Sequence, residues 1–123
     1  MTSAHAIDNA IGAHGLWKAR LRAAIETGTL DGDVETLRRP DRCTFGLWML
    51  SGDVTHADRA STYYATVDRL HARFHEAAAH VAELAIAGQR DEAKRLMERG
   101  GDFAERSTEL VTAMLRWKQA LGA

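Results

Sequence analysis

The chain has 123 residues, 46% of them hydrophobic, and a net charge of −1 from 16 basic and 17 acidic side chains. That length and apolar content fit one small globular domain, taken as residues 1–123, and exclude a disordered polar chain. The near balance of charge argues against a dedicated nucleic-acid binder, which carries a basic surplus, and no apolar run approaches the ~20 residues of a membrane span.

The opening stretch, MTSAHAIDNAIGAHGLWKAR, lacks a charged start followed by an apolar block, so no signal peptide is expected. Apolar residues then recur at helical spacing. The first helix is predicted from about residue 3 to 26, with Ile7, Ile11, His14, Trp17, Leu21 and Ile25 on one stripe and Gly28 past its end. Residues 27 to 40 read as a connection with one helical turn, in which Asp31 and Asp33 belong to a turn. The only proline, Pro40, precedes a short helix in DRCTFGLWML, which Ser51, Gly52 and Asp53 break.

Thr55 with Asp58 forms an approximate capping box for a long helix reaching about Ala87. Its stripe is Tyr63, Val67, Leu70, Phe74, Val81 and Leu84, and Gly88 stops it. A short helix follows over about 90 to 98, then Gly100 and Gly101. Asp102 with Glu105 opens a last helix carrying Phe103, Leu110, Met114, Trp117 and Leu121. No segment reads as a strand, so the class is all-α, a bundle with three long helices and two short ones. Trp17, Trp48 and Trp117 are assigned to the core or a dimer seam. Leu16 and Leu30 hint at oligomerisation, and Lys18, Arg20 and Arg22 form a solvated face.

Of six histidines, three stand out. His71 and His75 are four residues apart, one turn along the same helix face. With Leu70 at zero, they fall near ~100° and ~140°, at the edge of the apolar stripe and facing a neighbouring helix. His80 falls on the other side. His56 belongs to an exposed first turn, and His5 is too close to the terminus to be informative. His14 replaces an apolar residue in the first stripe. It could be a hydrogen-bonded core histidine, just as the 71/75 pair could lie on the surface.

Cys43 is the only cysteine. No intrachain disulfide can form, and a reduced cytoplasmic thiol is the natural reading. It sits among Phe45, Leu47 and Trp48, which suits a small buried side chain. Yet three histidines and one cysteine also make a closed zinc set of nitrogen and sulfur donors. The spacing, 29 residues from His14 to Cys43 and 28 more to His71, is unlike a zinc finger and would tie three separate segments together.

Three stretches in order, AHGLWKARLRAAI, DRCTFGLWM and HARFHEAA, resemble the chemoreceptor zinc-binding domain family. Cys43, Phe45, Gly46 and Trp48 match its C-x-F-G-x-W element. His14, Trp17 and Lys18 match its first histidine motif, and His71, Phe74 and His75 its H-x-x-F-H element. The tail from Gly100 is similar to the family's last helices. Leu47 departs from the basic residue many members carry there.

The resemblance implies an antiparallel four-helix-type bundle with extra short helices. It also implies a homodimer and one zinc ion (Zn2+) per subunit, held by His14, Cys43, His71 and His75. It implies a cytoplasmic regulatory role in chemotaxis or cyclic-di-GMP signalling, sensing zinc or an oxidant such as hypochlorous acid through Cys43. These residues include neither a receptor coiled coil nor a cyclase domain, so the output is expected on another chain or on another part of a longer one. Neither nucleic acid nor membrane is an expected partner.

Three other readings remain open: a metal-free helical interaction module, a zinc enzyme with Glu76 as base, and a cysteine-nucleophile enzyme. Four protein ligands would close the site to water, and no catalytic signature surrounds Cys43, so an enzyme is not expected. A carboxylate orienting one imidazole is expected on physical grounds.

Overall fold

A computed structural model of the protein describes residues 3–122. Residues 1, 2 and 123 of the expected domain lie outside the described residues. The elements are α1 (Ser3–Thr27), α2 (Val34–Arg38), a 3-10 turn (Pro40–Arg42), α3 (Thr44–Met49), α4 (His56–Arg59), α5 (Thr62–Ile86), α6 (Arg90–Met97) and α7 (Asp102–Gly122). No strand occurs among the described residues, and the all-α class stands as predicted. No described helix is long and apolar enough to cross a membrane.

The three long helices α1, α5 and α7 pack against one another. Asp8 near the start of α1 bonds Lys118 near the end of α7 at 2.7 Å. Tyr64 at the start of α5 meets Trp117 in the last part of α7, while Phe74 meets Phe103 at the beginning of α7. So α7 runs against α5, and against α1 as well. Helices α1 and α5 therefore run the same way. Two parallel neighbours cannot be joined by a tight turn, and residues 28–61 must carry the chain back along a helix of ~37 Å. That return segment holds α2, the 3-10 turn, α3 and α4, and with them Cys43.

Burial follows the predicted stripes. Ile7, Leu21 and Ile25 of α1, Val67, Phe74 and Val81 of α5, and Phe103, Leu110, Met114 and Trp117 of α7 are all buried. Each large apolar side chain removed from water stabilises by about 1.5–3 kcal/mol. Gly28 ends α1 with φ of 76°, and its N–H reaches the Ala24 carbonyl at 2.8 Å. A side chain there would strain the left-handed backbone. Tyr63, expected in the α5 stripe, is exposed, and Tyr64 packs instead.

The helix expected from Thr55 to Ala87 is two helices. Thr55 does cap, accepting from the Asp58 N–H at 3.1 Å, but the helix it opens ends after one turn. Ser61 then caps a new one: its hydroxyl accepts from the Tyr64 N–H at 3.2 Å and donates to the Asp58 carbonyl at 2.7 Å. The break is held from outside. Arg59 donates to the carbonyls of Met49 and Ser51 at 3.0 and 2.7 Å, and the Tyr64 hydroxyl donates to Met49 at 2.8 Å. These contacts fasten the end of α3 to the start of α5. Among the described residues the short helices are thus four, with a 3-10 turn, where two were expected. Asp102 is the first residue of α7, and the Glu105 N–H bonds the Gly101 carbonyl at 2.9 Å.

Candidate metal centre

His14 projects from the buried face of α1 and is 4% exposed. Its Nδ1 lies 2.6 Å from the Ala10 carbonyl one turn back. A carbonyl only accepts, so Nδ1 carries the proton and the Nε2 lone pair is left for other partners. His71 and His75 are each 2% exposed, deeper than the stripe edge where the sequence places them. The return segment and α1 cover them. His75 Nδ1 meets the Leu37 carbonyl of α2 at 2.7 Å, which fixes its proton in the same way. His75 Nε2 then faces His71 Nε2 at 3.1 Å.

Cys43 reaches this point by local geometry. Pro40 opens the 3-10 turn, where its fixed φ is favourable and its missing N–H costs nothing. Cys43 is the N-cap residue of α3, and the Gly46 N–H donates to its sulfur at 3.3 Å. The thiol in turn faces the Pro40 carbonyl at 3.4 Å. Gly46 is required by close approach: a Cβ there would fall on the Pro40 carbonyl oxygen. This backbone contact folds the turn onto α3 and places the Cys43 sulfur 3.3 Å from His71 Nε2.

One donor atom from each of His14, Cys43, His71 and His75 can be chosen so that all four lie within 4.8 Å of one another. No Asp or Glu joins this group among the described residues. Burial pushes His14 down to about 4, against the Ala10 hydrogen bond. Burial, then the neighbouring His75 and His14, pushes His71 down to about 2. Burial lowers His75 as well, opposed by its bond to Leu37. Burial raises the Cys43 thiol, opposed by the backbone N–H groups of Gly46 and Phe45. Near neutral pH the three imidazoles are therefore neutral and the thiol keeps its proton, so the cluster is uncharged.

That arrangement fits a divalent metal. Zinc bonds of about 2.0–2.1 Å to nitrogen and 2.3 Å to sulfur give tetrahedral edges of roughly 3.3–3.6 Å. The two edges through His71, at 3.1 and 3.3 Å, are already near those lengths. Carbonyls of Ala10 and Leu37 orient two of the rings, where the sequence led to a carboxylate. The Ala10 contact is an i−4 relation that the sequence could have disclosed. The Leu37 contact spans 38 residues and left no local signal.

The remaining candidates lie elsewhere. His5, His56 and His80 are exposed. Glu76 is exposed and bonded to Arg38 at 2.9 Å, away from the cluster. Trp48 and Trp117 are buried and Trp17 is partly so, with Arg20 over its ring at 3.9 Å. Lys18 and Arg22 are solvated, and Asp31 and Asp33 flank a turn at Gly32, as expected. Leu16 and Leu47 are exposed, whereas Leu30 packs on the core.

The chain matches the family model of the chemoreceptor zinc-binding domain over residues 14–82. No curated protein and no solved structure matches it. The matched interval is more than half the chain and begins at His14, so it contains all four clustered residues. The family binds zinc, is associated with chemoreceptors, and is regulatory and sensory rather than enzymatic. The protein belongs to the chemoreceptor zinc-binding domain family.

Proposed function

We propose that the chain is a single zinc-binding regulatory domain in which His14, Cys43, His71 and His75 hold one Zn2+. The observation that carries this reading is the meeting of four nitrogen and sulfur donors, from three separate segments, in one cluster whose three histidines are buried. Bound there, the metal would cross-link α1, the return segment and α5.

The protein's own residues explain how such binding could signal. His71 and His75 are one turn apart on α5 and stay together whatever the metal does. His14 is fixed within α1 by Ala10. Cys43 sits in a short turn-and-helix unit and not in a long helix, so its segment is the element that loosens first when the sulfur lets go. Loss of a bond to Cys43 would therefore be read out as motion of residues 40–50. Cys43 is only partly buried. A thiolate there would be the group an oxidant attacks first, and conversion to sulfenic acid would weaken one of four bonds. We therefore assign zinc, and hypochlorous acid or a related oxidant through Cys43, as the signals.

The output is a chemoreceptor or diguanylate cyclase domain or protein in the cytoplasm, and the working form is a homodimer. Catalysis is not assigned: four protein ligands leave no open position for water, and Glu76 is engaged with Arg38.

Metal analysis of protein purified without chelator tests the reading. About one zinc per chain, lost on Cys43→Ala or His71→Ala, supports it. A folded chain that takes up no zinc would point instead to a metal-free interaction module.

A further inference from the structure

We propose that Arg38 on α2 is a positioning residue for His75, acting through the Leu37 carbonyl; the inference rests on the zinc reading above. The two orienting contacts of the cluster differ in kind. His14 is oriented by Ala10 of its own helix, a bond that survives as long as α1 does. His75 is oriented by Leu37, which belongs to a five-residue helix in the return segment. A helix that short is not stable alone. It has to be held against α5 for the Leu37 carbonyl to stand 2.7 Å from Nδ1.

Arg38 is the polar fastening. It bonds Glu76 of α5 at 2.9 Å, pairs with Glu83 two turns further along α5, and lies 3.6 Å from Glu35 of its own helix. Glu76 directly follows His75 in sequence, and Arg38 directly follows Leu37. The guanidinium thus clamps the residues next to both partners of the orienting bond. The Leu37 carbonyl lies in the last turn of α2, where carbonyls lack intrahelical partners, so it is available to the imidazole. An exposed ion pair alone contributes little. Here one guanidinium spans several carboxylates from two helices, and its effect falls on geometry more than on global stability. The buried Leu37 side chain also holds α2, which limits the effect.

When α2 is unfastened, His75 loses its acceptor at Nδ1. Its proton can then move to Nε2, the atom that faces His71, and that tautomer cannot donate a lone pair into the cluster. Partners that orient a metal-binding histidine are worth about 10–100-fold in affinity, and Arg38 acts one step further out. An Arg38→Gln variant is expected to bind zinc about tenfold more weakly, at the lower end of that range.

The experiment is a competitive zinc titration of the whole chain against a chromophoric chelator, with two-bond proton–nitrogen NMR of the zinc-free protein to read the His75 tautomer. Wild type should show the Nδ1–H form, and Arg38→Gln should gain the Nε2–H form together with the affinity loss. The Glu76→Gln/Glu83→Gln double variant should reproduce both effects, and it carries the test if Arg38→Gln does not fold. Arg106→Gln, which breaks pairs with Asp102 and Glu109 on α7, should change neither. Unchanged affinity and an unchanged tautomer in folded Arg38→Gln overturn the inference while leaving the zinc reading intact. A wild-type chain that binds no zinc overturns both.

Discussion

The Cys43 sulfur lies 3.3 Å from His71 Nε2, although 28 residues separate the two in sequence. The same sulfur accepts the Gly46 N–H that opens α3. Cap and candidate ligand are therefore one atom, and the two roles can be separated by substitution. A Cys43→Ser variant keeps an acceptor for the cap, and serine is a preferred N-cap residue. Its zinc-free stability should stay within about 1 kcal/mol of wild type. Its zinc affinity should fall by orders of magnitude, because a neutral hydroxyl replaces a thiolate. Paired chemical denaturation and zinc titration check this; undiminished zinc binding would remove Cys43 from the ligand set.

Gly46→Ala should damage the site without touching a donor. The added methyl meets the Pro40 carbonyl, which is backbone and cannot rotate away. The 3-10 turn has to separate from α3, at a cost of about 1–3 kcal/mol in line with overpacked cores. Zinc affinity should fall with it, because Cys43 is displaced. A crystal structure or denaturation curve identical to wild type would show that the turn has more room than it displays.

Metal removal should be felt unevenly. Hydrogen exchange of residues 40–50 is expected to accelerate strongly in chelator, while the α5 core around Phe74 and Ala78 stays protected. The reason is that α5 is held by α1 and α7, which bury both residues. Uniform acceleration along the chain would mean that zinc stabilises the whole fold and does not gate one segment.

Acid should destabilise the zinc-free protein. The folded-state values of His14, His71 and His75 lie below the ordinary 6.5 because burial disfavours the imidazolium. Below 6.5 the unfolded chain binds more protons than the folded one, so stability rises with pH there. The contribution is therefore full above 6.5 and declines as pH falls, for His14 down to about 4. At that limit His14 alone corresponds to on the order of 3 kcal/mol. Urea denaturation in chelator at several pH values between 7 and 4 measures it, and a His14→Phe variant should flatten the slope.

Ser61→Ala gives a control distant from the cluster. It removes the cap of α5 at Tyr64 and the bond to Asp58, at a cost of about 1 kcal/mol. Zinc stoichiometry and affinity should not change.

Much of the fold was legible because helical periodicity is a local property. The stripe of α1, its stop at Gly28 and the face of α5 all emerge from residue type and spacing. The break at Ser61 was not legible. Thr55 and Ser61 are both competent caps, and what separates two helices is Arg59 reaching carbonyls eight and ten residues back. At the centre, the family motifs pointed to the four donors, and spacing put His71 beside His75. A carboxylate was expected to orient one imidazole, whereas the contacts that orient His14 and His75 are carbonyls, an atom type that every residue carries and no sequence pattern marks.

By itself, then, the amino-acid order determined which helix faces would turn inward and that His71 and His75 share one, since both depend on residues within a turn or two of each other, while the motifs named His14 and Cys43 as the other candidate donors. Only the tertiary structure decided that α1 and α5 run in parallel, that the return segment lies over the two α5 histidines, and that the Leu37 carbonyl meets His75. Those outcomes depend on backbone groups and packing between residues far apart along the chain, where side-chain identity alone carries no distance.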